Sequence, residues 1–217
     1  MNQNRYAGGG RRPYLRPQDD PPGTSRLFVA VPVADDVRAG VARLMEQLAG
    51  GPIDVRAPGQ PRWVSIEGLH LTLRFLGATP DTRLAELAEA VAAATRGVAP
   101  FRVVLNGGGA FPTPLRPRVL WLGIGEGQPE LAALGGRLND ELHRLGWPRD
   151  DRPLQAHLTL ARTDGVPGAD EKATRLVELA RDVRLSWLAD RVVLYKSNLG
   201  HGPTRYEALA DAELAGP

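Results

Sequence analysis

The tetrapeptide His-Leu-Thr-Leu occurs twice in this chain, at residues 70–73 and 157–160, with its two histidines 87 residues apart. A repeat this short constrains the fold because its surroundings repeat as well. Ahead of the first copy, residues 27–33 form an apolar run of strand length, and Val37, Val41, Leu44, Met45 and Leu48 recur at helical spacing between Asp35-Asp36 and Gly50-Gly51. Residues 69–76 alternate like a strand, Leu84, Leu87, Ala88 and Val91 mark a second helix, and residues 101–105 a further strand. The same order then returns. Residues 118–124 read as a strand, Leu131, Leu134, Leu138 and Leu142 as a helix, 156–161 as a strand, Leu176, Val177 and Leu179 as a helix, and 191–195 as a strand. Two similar βαβ-αβ halves, about 26–105 and 118–195, are the simplest account, with the tetrapeptide at the corresponding place in each.

Strand parity turns the repeat into a chemical statement. Alternate side chains face opposite ways, so His70 and Thr72 point to one side and Leu71 and Leu73 to the other. His157 and Thr159 stand in the same relation to Leu158 and Leu160. Each half offers one imidazole beside one hydroxyl, backed by leucines that belong in a core. Two imidazoles facing one another across a cleft suit in-line displacement at phosphorus, one removing a proton from the attacking oxygen and the other supplying one to the leaving oxygen. Histidine titrates near neutrality, which makes both protonation states accessible together. The threonine hydroxyls can hydrogen-bond the non-bridging oxygens, and a guanidinium can neutralise the charge that builds there.

Composition narrows the alternatives. There is no cysteine, which removes disulfides, thiolate metal sites and a thiol nucleophile. No apolar run approaches the roughly 20 residues that a membrane helix needs, and no signal peptide opens the chain, so a cytoplasmic protein is expected. Residues 1–24, rich in Gly, Pro and Arg, have too little apolar surface to fold and are expected to be a disordered tail, with 25–217 forming a single domain. Five arginines against Asp19 and Asp20 in residues 1–26 account for more than the whole net charge of +2, which leaves a nearly neutral body. Such a body does not belong to a protein that coats long nucleic acid.

At this point the sequence resembles the 2H phosphoesterases, and among them the RNA 2′,3′-cyclic phosphodiesterases once called 2′-5′ RNA ligases. The resemblance runs from Arg26 almost to the C-terminus, through R-L-F-V-A, L-H-L-T-L-R-F-L-G, P-R-V-L-W-L-G, H-L-T-L-A-R and L-Y-K-S, with Arg205-Tyr206 near the end. Ala156 departs from the proline that many relatives carry before the second histidine. The resemblance implies an α+β fold of two pseudo-symmetric lobes, each an antiparallel sheet with helices, and an active-site cleft between them. It further implies catalysis by His70 and His157 without metal or other cofactor, a phosphate held by Thr72, Thr159 and Arg162, and Phe75 as a candidate for stacking on the nucleobase. The expected partners are RNA with 2′,3′-cyclic phosphate ends or cyclic nucleotides, opened to 2′-phosphomonoesters by a monomer.

Plainer readings stand beside these. A single histidine on a half-buried strand is as readily structural, and threonine is a good strand former in any case. Arg162 has the wrong parity for the cleft unless a bulge redirects it. Phe75 is also of opposite parity to His70, which favours core packing. His143 and His201 read as surface residues, Trp63 and Trp121 as core or interface, and Gly107-Gly108-Gly109 as a flexible turn. The rival functions are a metal-dependent phosphodiesterase, reversible 2′-5′ RNA ligation, and a non-catalytic module that binds nucleotides or RNA ends.

Overall fold

The computed structural model of the chain describes residues 20–54, 59–198 and 204–216. Residues 1–19 of the expected tail, and His201, lie outside them. Just ahead of the boundary expected at residue 25, Asp20 pairs with Arg26, the Asp81 amide donates to the Gly23 carbonyl, and the first strand opens at Thr24.

Nine strands and four α-helices are present among the described residues. The strands are β1 (Thr24–Pro32), β2 (Arg62–Trp63), β3 (His70–Pro80), β4 (Phe101–Phe111), β5 (Val119–Glu126), β6 (His157–Arg162), β7 (Ser186–Ala189), β8 (Arg191–Asn198) and β9 (Arg205–Glu213). The helices are α1 (Asp35–Ala49), α2 (Leu84–Thr95), α3 (Gln128–Arg144) and α4 (Ala169–Leu179). Helix α1 begins on two aspartates whose charge favours a helix N-terminus, and it ends at Gly50, where φ of 84° lets the amide turn back onto the Glu46 carbonyl. None of the helices among the described residues is long and apolar enough to cross a membrane.

The strands pair antiparallel in the order β7-β4-β5-β6-β3-β1-β8-β9, with β2 on the far end of β6. The order is palindromic about its centre: two four-stranded lobes meet where β3 and β6 share one paired position, Leu71 with Leu158. Both leucines are fully buried. The lobes do not coincide with the two sequence halves. Strand β4 closes the first half in sequence but pairs with β5 of the second, and β8 returns to pair with β1. Each half thus lends its last strand to the other lobe, which makes the two lobes one covalent and packing unit.

The triglycine expected to be a turn lies inside β4 instead. Close approach explains it. A Cβ on Gly109 would meet the Trp121 ring at 2.5 Å, and one on Gly108 would meet Leu176 and Ala180 at 2.9 Å. The glycines let β4 bulge against β5 and lie under α4 rather than break the strand.

Candidate active site

The leucines of the two tetrapeptides build the floor. Leu71, Leu158 and Leu160 have no exposure and Leu73 is 7% exposed, whereas His70, Thr72, His157 and Thr159 are half-buried on the opposite face. Since Leu71 pairs with Leu158 on antiparallel strands, His70 stands across from Thr159 and Thr72 from His157. The histidines occupy the diagonal of this square, a relation that places backbone positions roughly 7–8 Å apart. That spacing leaves room for one phosphate between two imidazoles.

Both rings are held in one way. Nδ1 of His70 lies 2.6 Å from the Gly68 carbonyl, and Nδ1 of His157 lies 2.8 Å from the Gln155 carbonyl. A carbonyl oxygen only accepts, so Nδ1 carries the proton in each ring and Nε2 is left for chemistry. Neutral, that nitrogen is a base; protonated, it is an acid.

Their surroundings differ. His70 packs against Phe28 with ring centroids 4.7 Å apart and meets Tyr206 edge-on at 5.0 Å, with Tyr195 at 6.2 Å. Burial in this aromatic pocket pushes its pKa down to about 4; the bond to Gly68 opposes the shift, and positive charge on His157 adds to it. His157 has a thinner backing, Phe111 edge-on at 5.0 Å and Trp121 at 6.3 Å.

A bulge in each lobe sets the remaining residues. In β3, Thr72 pairs with Ala30 and Arg74 with the adjacent Val29, so Leu73 is the extra residue. In β6, Thr159 pairs with Trp121 and Ala161 with the adjacent Leu120, so Leu160 is the extra one. Parity reverses after each bulge, and the sixth residue counted from each histidine, Phe75 and Arg162, turns to the histidine side. Phe75, for which core packing was the stronger expectation, is 68% exposed. Arg162 is exposed and forms no ion pair among the described residues.

His70, Thr72, Thr159, Arg162, Phe75 and Tyr206 line one cavity of about 350 Å³. His157 is not on its wall. It lines a separate groove with Leu73, Arg74 and Phe111, so four of the five expected residues share one cavity and His157 is related to them through the Leu71–Leu158 pairing. Among the described residues no three His, Asp or Glu side chains gather as a metal would require. His143 is exposed, Trp63 is buried as expected, and Trp121 lies beneath the site beside Phe111. Sequence reasoning assigned no role to Phe28, Tyr195 or Tyr206, whose strands β1, β8 and β9 come together only in three dimensions. The Tyr206 hydroxyl is held protonated by burial, against the pull of Arg162. It is a neutral donor on the cavity wall.

Comparison with known proteins places this geometry. The sequence model of the 2′-5′ RNA ligase superfamily matches residues 42–201. An RNA 2′,3′-cyclic phosphodiesterase of Archaeoglobus fulgidus is 39% identical over 137 residues, which are 63% of this chain and 72% of that protein. Another from Methanothermobacter thermautotrophicus is 32% identical over 174 residues, 80% of this chain and 90% of the relative. The crystal structure of E. coli LigT complexed with 3′-AMP superposes with a TM-score of 0.64 at 26% identity, covering 88% of this chain and 98% of that one.

Proposed function

The chain belongs to the 2′-5′ RNA ligase superfamily of 2H phosphoesterases, and from that premise we propose that it hydrolyses RNA or nucleoside 2′,3′-cyclic phosphates to 2′-phosphomonoesters with two histidines and no metal. The observation that carries the reading is the matched pair of imidazoles, each pinned through Nδ1 so that Nε2 is left available on the same face of the β3–β6 junction. A module that only binds a nucleotide has no use for two such groups around one phosphate.

In this mechanism the cyclic phosphate rests on the junction, with its non-bridging oxygens toward Thr72, Thr159 and Arg162. His70, kept neutral by its aromatic pocket, takes a proton from water as the water oxygen bonds to phosphorus. The ring P–O3′ bond breaks, and His157 in its protonated form gives its Nε2 proton to the departing 3′ oxygen. The 2′ oxygen keeps the phosphate. Arg162 and the threonines gain strength as charge accumulates on the equatorial oxygens, which is where donors lower a barrier most. Phe75, exposed at the rim of the same cavity, offers a face for the nucleobase.

The test is incubation with each nucleoside 2′,3′-cyclic phosphate in excess chelator, with identification of the product isomer. The 2′-phosphomonoester is expected at a rate the chelator leaves unchanged. A tight complex without product, or activity lost with the chelator, would overturn the reading.

A further inference from the structure

The bulge at Leu73 has a second product. As it brings Phe75 to the cleft, it leaves Arg74 on the side of the leucines, where its side chain is 12% exposed. The matching residue in β6 is Ala161, fully buried and inert. Arg74 does not end in solvent. Its Nη2 donates to the Pro148 carbonyl at 2.5 Å, its Nη1 lies 3.3 Å from an Asp150 carboxylate oxygen, and its Nε is buried. Pro148 and Asp150 belong to the connector between α3 and β6, and that connector delivers His157.

The rest of the connector is fastened as well. Asn139 of α3 accepts from the Asp150 amide at 3.0 Å, and Gln128 donates to the Leu154 carbonyl at 2.8 Å. Leu154 sits over Gly135, where a Cβ would come within 3.0 Å. On the other side Arg83, in the turn before α2, donates to the Leu145 carbonyl at 2.7 Å and stacks on the Trp147 ring at 3.7 Å. These contacts hold the connector within its own lobe or to the α2 end. Arg74 alone of them springs from β3, two residues beyond Thr72. The tie runs from the strand carrying the first histidine to the segment presenting the second, and the two strands otherwise share a single paired position.

We propose that Arg74 is a positioning residue for the phosphoesterase reaction: by tying the α3–β6 connector to β3 it fixes the distance and angle between the His70 and His157 rings. A planar guanidinium suits the task, because it holds a carbonyl and a carboxylate at once in fixed directions where an ammonium would hold one. The inference rests on the two-histidine reading.

The experiment is a mutant cycle with a 2′,3′-cyclic mononucleotide, using Arg74→Met and Arg74→Lys in the wild-type and His157→Ala backgrounds, with thermal melts of each protein. Misplacement of a reacting group by about an ångström costs up to a hundredfold, so Arg74→Met is expected to lower kcat roughly 10- to 100-fold with KM changed less than about threefold. Arg74→Lys, which keeps the stem and one donor, should fall between and serves as the readout should the methionine variant fold poorly. In the His157→Ala background the same changes should cost less than about threefold, since there is no second imidazole left to position. Equal losses in both backgrounds, or a folded Arg74→Met with normal kcat, would overturn the inference while leaving the two-histidine reading intact. A fully active His157→Ala protein would overturn that reading and this inference with it.

Discussion

The two lobes carry the same four residues on the same strand positions, yet they prepare their histidines differently. His70 is sunk among Phe28, Tyr195 and Tyr206, and desolvation holds it neutral; His157 stands nearer the rim with Phe111 and Trp121 behind it. The sixth residue counted from each histidine differs in the same spirit, Phe75 in one lobe and Arg162 in the other, both turned to the cleft by an equivalent bulge. Repetition supplies two copies of a platform. Divergence of the packing around it gives the two imidazoles different surroundings and sets an aromatic face in one lobe against a guanidinium in the other.

Breaking that comparison at its centre has the largest expected effect. His70→Ala and His157→Ala should each cost on the order of a hundred- to ten-thousandfold in turnover, with the double mutant little worse than the poorer single, because both groups act on one transition state. Circular dichroism should show all three folded, since the leucines beneath them are untouched. Next comes the clamp. Arg162→Ala should lower kcat about a hundred- to a thousandfold, and Thr72→Val or Thr159→Val about tenfold or more, measured as kcat on a cyclic mononucleotide.

The pocket of His70 can be tested without substrate. Its folded pKa of about 4 lies below the unfolded 6.5, so the unfolded chain takes the proton first as pH falls. Its contribution to stability is complete above pH 6.5 and is lost between there and about pH 4, an effect on the order of 3 kcal/mol. Urea unfolding of wild type and His70→Gln across this range isolates it, because every carboxylate titrates alike in both. The pH slope should be shallower in the mutant. Phe75→Ala, the smallest expected change, should raise KM by about tenfold and leave kcat nearly unaltered, as loss of one stacked base predicts. An equal fall in kcat would place Phe75 in the chemistry and erase the contrast with Arg162.

Local pattern was enough to find the strands and helices of both halves and the four residues of the two tetrapeptides, because burial of alternate leucines fixes which way the histidines face. It was not enough for Phe75. A one-residue bulge reverses parity without leaving a mark in the residue types, so the alternation that placed Thr72 correctly placed Phe75 on the wrong face. For Arg162 the same bulge was needed by the chemistry and is present. The exchange of β4 and β8 between lobes was hidden for a different reason: a strand's partners are set by long-range packing, and the aromatic pocket of His70 depends on that exchange. Edge strands β7 and β9 carry weak apolar periods, with much of β9 solvent-facing, and the glycines of β4 gain their meaning only against Trp121 and α4.

The central claim is that His70 and His157 divide the proton transfers, with His70 as the base. The most direct measurement is the pH dependence of kcat/KM on a nucleoside 2′,3′-cyclic phosphate in chelator, for wild type and each single alanine mutant. The account predicts a bell for wild type whose acid limb falls near pH 4 with His70, loss of that limb in His70→Ala, and loss of the basic limb in His157→Ala. Near-normal turnover with both limbs kept in either single mutant would contradict it.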